Sequence, residues 1–295
     1  NTYITAFNSN MIVNESFLDS ATLRENVVSL ARNIGYVPRS KSSAKATVTF
    51  SIGTSATEGQ LILKAGLVCV GGVDNTTYTY SVPQDITTNI VSNVAAFENV
   101  DVFQGIYLTK QFTVDTSTNQ RFILNNADID TSTIVVKVGT REYKQISNIV
   151  KVDGASEIYL LQEIADERYE LLFGDGIIGK KLENGDIIQI SYVTTQGSAG
   201  NGPAVFSYSG TTTDSTDSIV NSTSTVNVTT VSKASGGGDI ESIESVKYFA
   251  PRTYAAQNRA VTARDYEAIV QTVYPETESV TVIGGEELDP HQFGK

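Results

Sequence analysis

The sequence predicts an α+β, predominantly β, multidomain architecture with an N-terminal helical segment, a β-rich body and a C-terminal α/β module. Three observations carry this. Leu23, Val27, Leu30, Ala31 and Ile34 form one apolar stripe at helical spacing. From Ala44 to about Val231 the chain changes to short runs rich in Val, Ile, Thr and Tyr, broken by Gly, Asn and Asp, which is the pattern of strands and tight turns. After Gly236, Gly237 and Gly238 helical spacing returns, first in Ile240, Ile243 and Val246, then in Tyr266, Ile269, Val270 and Val273. The expected divisions are 1–40 (helical, bundle-forming), 41–115 and 116–235 (β-rich) and 236–295 (α/β).

Element by element, Tyr3 to Leu18 is rich in Ile, Met and Phe and is expected to form a helix packing on the next one. Thr22 and Glu25 have capping-box spacing, so the second helix should start at Thr22, with Gly35 and Pro38 ending it. Strands are expected at Thr47–Ile52, Leu67–Val70, Thr77–Val82, Thr133–Val138, Glu157–Leu161 and Asp186–Thr194. Asn184-Gly185 predicts a type I′ hairpin turn, in which both central residues take positive φ. Residues 209–235 hold 15 Ser or Thr in 27 positions, which favours an exposed loop with at most one strand through Val226, Val228 and Val231. Asp239 is the expected N-cap of a helix stopped by Pro251, and Thr262 with Asp265 opens another. Val280–Ile283 would be the last strand.

Composition limits the functional classes. With 40% hydrophobic and 18% charged residues the chain has the makings of a packed core rather than a disordered segment. No apolar run approaches the roughly 18 residues of a membrane helix, so no membrane partner is expected. The net charge of -12 is concentrated after residue 50, and only Arg39, Lys41 and Lys45 come close together, which disfavours a nucleic-acid partner. The single Cys69 lies between Val68 and Val70, as a buried inert thiol would.

Catalytic patterns are missing or incomplete. His291, the one histidine, is the fifth residue from the end of the sequence, which leaves Ser-His and Cys-His arrangements only that residue as a base. Asn126, Asp128 and Asp130 alternate like the start of a calcium loop, but Thr131 and Lys137 stand where Gly and Glu are needed. Gly236–Gly238 precedes a helix without the Lys-Ser/Thr of a phosphate loop, so a hinge is the expected role. A two-carboxylate glycosidase is disfavoured because sugar grooves commonly use aromatic platforms and there is no Trp. The expectation is no enzyme, cofactor, metal or small-molecule substrate.

Four separated segments together resemble the baseplate wedge proteins of T-even-type contractile phages, members of the baseplate J-like superfamily. The first runs from Glu15-Ser-Phe through Leu23-Arg24 to Asn33-Ile-Gly-Tyr-Val-Pro-Arg-Ser. The second is Phe173-Gly174-Asp175-Gly176, followed by Asn184-Gly185-Asp186 and Gly197 to Asn201. The third is Gly236-Gly-Gly-Asp239. The fourth joins Ala250-Pro251-Arg252, Asn258-Arg259-Ala-Val-Thr262, Asp265-Tyr266, Tyr274-Pro275 and Gly284-Gly285.

This resemblance implies a structural scaffold of the virion tail baseplate, assembled in the host cytoplasm, whose partners are other wedge subunits and a second copy of itself. It also implies that Phe17, Leu18, Leu23, Val27, Leu30 and Ile34 enter a shared helical bundle; periodicity alone is equally consistent with packing on the chain's own β body. The sequence begins without Met and stops where family members run on, so a fragment is expected. Two alternatives remain open: a virion carbohydrate-binding or depolymerising protein, and a baseplate homologue from a tailocin or secretion system.

Overall fold

A computed structural model describes residues 2–56, 58–73, 75–146, 152–257, 259–274, 279–285 and 290–291. Strands take 42% of the chain and helices 18%, so the architecture is predominantly β, as the residue pattern predicts. The chain divides into two compact units. The sheet unit comprises Ser40–Gln162 and Arg168–Asp239; the helical unit gathers Asn1–Arg39, Glu163–Glu167 and Ile240–Lys295.

In the sheet unit the chain first forms β1 (Lys45–Gly53), β2 (Glu58–Leu63), β3 (Gly66–Val73), β4 (Thr76–Val82), β5 (Ile86–Val91) and β6 (Val94–Gln104). It then crosses at Gly105, upstream of the expected division at 115, into β7 (Ile106–Thr113), β8 (Phe122–Leu124), β9 (Ile129–Val138), β10 (Arg141–Gln145), β11 (Ile158–Glu163), β12 (Tyr169–Phe173) and β13 (Ile187–Thr194). Finally β14 (Phe206–Tyr208), β15 (Thr212–Asp214) and β16 (Val228–Ser235) return to the first sheet. Its order is β14-β3-β4-β6-β5-β2-β15, with β1 pairing both β6 and β16; the second sheet runs β7-β13-β9-β10-β11-β12-β8. The Ser/Thr-rich stretch therefore supplies two strands rather than one.

Side chains alternate across each strand, so one face can be wholly apolar. In β1 this buries Ala46, Val48, Phe50 and Ile52, with Phe50 stacked on Phe97 of β6 at 5.2 Å between ring centres. Cys69 lies in the same core, and burial pushes its thiol up to about 12, which leaves it protonated and inert. The second sheet buries Leu124, Ile129, Val136, Tyr169, Leu171, Ile188 and Ile190. At Asn184-Gly185 only Gly185 has positive φ, and the Asp186 N–H donates to the Glu183 carbonyl. The turn is thus of type II character rather than I′, and it follows no hairpin, because β13 pairs with β7 and β9 rather than with β12.

The helical unit contains α1 (Thr2–Asn14), α2 (Arg24–Asn33), α3 (Ile243–Ala256) and α4 (Ala263–Val273). The described side chains of α1, Ile4 and residues 8–14, are exposed. Met11, Ile12 and Val13 are consecutive, so they spread around the helix instead of making a stripe that could pack on α2. The Thr22/Glu25 capping box is not formed. Helix α2 starts after Leu23, and the orphan donors are met from outside: Glu15 Oε1 accepts from the Thr22 N–H (2.8 Å) and hydroxyl (2.6 Å), and Oε2 from the Leu23 N–H and Asn26 Nδ2. Led by the Thr22 hydroxyl, these bonds hold the Glu15 carboxyl down at about 2. A depressed carboxyl stabilises the fold above its ordinary value of 4.5, so this contribution is lost as pH falls from there towards 2.

Helix α3 is capped by Ser242, whose hydroxyl accepts from the Ser245 N–H, not by Asp239, and it continues through Pro251 to a left-handed Gln257. A proline inside a helix costs about 3 kcal/mol. It is offset here because Val246 and Ala250, on the turn before and beside it, are wholly buried. Helix α4 has the expected capping box between Thr262 and Asp265. Its apolar face is less covered than expected, with Tyr266 and Val273 exposed and Ile269 and Val270 half-buried. Val280–Ile283 is not in a strand, so among the described residues this region is helical, not α/β. Asn258 and Pro275 lie outside the described residues.

Candidate assembly surfaces and motif residues

The α2 face expected to enter a bundle is divided. Val27, Val28 and Ala31 are buried within the helical unit, where Val27 and Ala31 pack with Val246 and Ala250 of α3, and Leu18, Leu30 and Ile34 lie half-buried against them. Phe17 and Leu23 remain exposed, at 64% and 42%. The helix ends in a Schellman motif: Gly35 takes φ +81, its N–H donates to the Arg32 carbonyl, and the Tyr36 N–H reaches the Ala31 carbonyl. Space around Gly35 is open, so Gly35→Ala isolates the conformational penalty. Thermal or urea unfolding should show a loss of about 1–2 kcal/mol, with Gly35→Asn losing less because Asn tolerates this region.

Beneath that face lies a buried polar cluster that helical periodicity alone conceals. Arg24 grips Glu163 with both nitrogens, Nε to Oε1 at 2.8 Å and Nη2 to Oε2 at 3.1 Å, and also donates to the Glu241 carbonyl. Glu241 accepts from the Tyr36 hydroxyl (2.8 Å), the Ser245 hydroxyl (2.6 Å) and the Arg39 N–H (3.0 Å). Both carboxylates are buried. Burial raises the Glu163 carboxyl above its ordinary range, against the opposing pull of Arg24. The one available signal is that Arg24 stands in line with Val27, Val28 and Ala31 on the helix face.

The motif loops are occupied with structural work. Phe173 anchors an aromatic cluster with Phe122, Tyr143 and Tyr159. In the following loop Asp175 Oδ1 accepts from the Ile177 and Ile178 N–H groups, Gly176 has φ +96, and a Cβ on Gly174 would stand 2.1 Å from the Gly179 backbone. Asn184 Oδ1 accepts from the Thr116 N–H, and Asp186 Oδ2 from the Glu183 N–H. Pro38 is buried, and the Arg259 N–H donates to the Ala256 carbonyl.

Gly236, Gly237 and Gly238 are tied down within the sheet unit. Gly237 exchanges two hydrogen bonds with the Asn201 amide, Gly238 exchanges two with the Ser42 backbone, and Gly236 accepts from the Ser42 hydroxyl. A Cβ on Gly237 would lie 2.5 Å from the Gly197 carbonyl, so close packing accounts for this glycine. The nearby cations are compensated: Lys41 pairs with Asp128 at 2.7 Å and Lys45 with Asp101 at 3.6 Å. Asp130 is buried and accepts from the Ser43 N–H, the Ser132 N–H and the Ser132 hydroxyl, which makes it a turn acid. His291 is exposed.

Residues 107–201 match the family model described as the third domain of bacteriophage baseplate wedge protein gp6, and this span coincides with the second sheet, β7 to β13. Residues 262–295, beginning at the α4 capping box, match the model of C-terminal domain I of baseplate structural protein gp6. Baseplate wedge protein gp6 of Enterobacteria phage T4 is 28% identical over 288 residues, covering 91% of this chain and 43% of that protein. The similarity is to the gp6 family of phage baseplate wedge proteins. It spans less than half the length of the relative it matches. The gp6 match covers far more of the chain than the two domain models together, and so takes in much of the first sheet.

Proposed function

We propose that this chain is a structural, non-enzymatic subunit of the baseplate wedge of a contractile tail. It assembles with further copies of itself and with other wedge proteins into the ring around the tail hub, in the host cytoplasm, and transmits the ring's rearrangement in the virion. The observation that carries this reading is similarity to a wedge protein along 91% of the chain, with two gp6 domain models matching in chain order. The geometry is in keeping with it: the motif residues serve turns, caps and close approaches. No cofactor, nucleic acid, membrane or small-molecule substrate enters the proposal.

Rearrangement is proposed to involve the places where the chain passes between its units, at Arg39/Ser40, Gln162/Glu163, Glu167/Arg168 and Asp239/Ile240. Gly236–Gly238 lies beside the last of these, and hinge action there requires releasing Ser42 and Asn201. Deleting the gene tests the assembly role. The expected result is filled heads without baseplate rings, restored by supplying the protein; normal baseplates in the deletion particles would refute it.

A further inference from the structure

We propose that Asn184 is a covalent modification site: the Gly185 nitrogen attacks its carboxamide, ammonia is lost, and an aspartyl or isoaspartyl linkage is left at position 184. This chemistry is open to any side-chain amide or acid followed by glycine, because a residue without a Cβ leaves its nitrogen free to approach the preceding side chain. Four such pairs occur in the chain, Asp153-Gly154, Asp175-Gly176, Asn184-Gly185 and Asn201-Gly202. The hydrogen bonds around them separate one from the other three.

Asp153 Oδ1 accepts from the Ser156 hydroxyl (2.6 Å) and the Ala155 N–H (3.1 Å), and Asp175 Oδ1 from the Ile178 and Ile177 N–H groups (2.9 and 2.8 Å). These bonds hold both acids below the ordinary carboxylate range, and an ionised carboxylate offers the nitrogen no leaving group to displace. Asn201 is gripped at both ends of its amide. Its Oδ1 accepts from the Gly237 N–H at 2.8 Å and its Nδ2 donates to the Gly237 carbonyl at 2.9 Å, while the Gly202 N–H donates to the Ala234 carbonyl of β16 at 2.9 Å. Cyclisation there has to undo all of these.

Asn184 is exposed, and its Oδ1 accepts from the Thr116 N–H at 3.1 Å, a bond that draws electrons from the carbon to be attacked. Its Nδ2, the leaving group, makes no hydrogen bond among the described residues. The restraint lies on the nucleophile: the Gly185 N–H donates to the Val114 carbonyl at 2.8 Å, and the turn is closed by the Asp186 N–H on the Glu183 carbonyl at 3.1 Å. Both bonds sit at the end of the β7–β13 ladder, where local opening costs least. After opening, the Gly185 nitrogen, deprotonated by hydroxide, bonds to Asn184 Cγ. The Cγ–Nδ2 bond breaks, and the amide nitrogen takes a proton from water and leaves as ammonia, which regenerates the hydroxide. A water molecule then opens the cyclic imide on either side. The isoaspartyl product lengthens the main chain by a carbon beside the Val114 contact.

The test holds the folded protein in mildly alkaline buffer, with the urea-unfolded chain alongside, and follows all four pairs by peptide mass spectrometry with separation of the isoaspartyl forms. In the folded protein position 184 should convert about tenfold or more faster than position 201, because the reactive population follows the free energy of local opening. In urea the two should convert at similar rates. Deuterium exchange reads the opening independently: relative to its unfolded rate, the Gly185 N–H should exchange faster than the Gly202 N–H. Conversion at 153, 175 or 201 that keeps pace with 184 in the folded protein would overturn the assignment. So would an intact Asn184 in the folded protein once the unfolded chain has converted. Equal folded and unfolded rates at 184 would overturn the opening step.

Discussion

Val27→Asp is expected to unfold the helical unit while both sheets stay folded. Val27 is wholly buried, and its neighbours Ala31, Val246 and Ala250 are apolar, so the carboxylate would have no partner. An uncompensated buried charge costs about 3–5 kcal/mol, a large share of the total that holds a domain of this size together. Circular dichroism should record loss of helical signal with strand signal retained, and proteolysis should cut within residues 1–39 and 240–295 first. Phe17→Ser, at an exposed position, should shift stability by no more than about 0.5 kcal/mol. An unaltered helical transition in Val27→Asp would mean that this face is not covered by α3.

The second large effect is expected from Arg24→Met. It leaves the Glu163 carboxylate buried without its bidentate partner and close to Glu241, whose charge already disfavours ionisation of Glu163. The expected loss at neutral pH is again about 3–5 kcal/mol. Converting both residues, R24M/E163M, should recover most of it, because a well-packed apolar pair of similar volume is often as stable as a buried ion pair. The pH dependence follows from the direction of the shift. A carboxyl raised by burial destabilises the fold above its folded pKa and has no such effect below its ordinary value of 4.5. The deficit of Arg24→Met should therefore shrink on acidification, and a pH-independent deficit would show that Glu163 does not carry the charge.

Legibility followed the range of the interactions involved. Strands such as Thr77–Val82 stood out because β-branched and aromatic residues bounded by turn residues reflect a local preference, and the Thr262/Asp265 cap because all its partners lie within four residues. The start of α2 was misplaced because its cap comes from Glu15, in the turn before it. Pro251 was misread as a stop because tertiary burial of Val246 and Ala250 outweighs its local penalty. Arg24 and Glu163 are 139 residues apart, and no periodicity connects them. The return of β14, β15 and β16 to the first sheet was hidden for the same reason, behind a Ser/Thr-rich composition. The Phe173–Gly176 motif was legible as a turn, but the bracing of its loop by Asp153 and Ser156 arises only in the folded chain.

Cryo-electron microscopy of the contractile particle that carries this chain tests its baseplate role most directly. The account predicts density for the nine-stranded and seven-stranded sheets and the α2–α3 pair, repeated around the hub as part of the wedge ring. Density for the same fold in a fibre, the sheath or the capsid, or its absence from the purified particle, would contradict it.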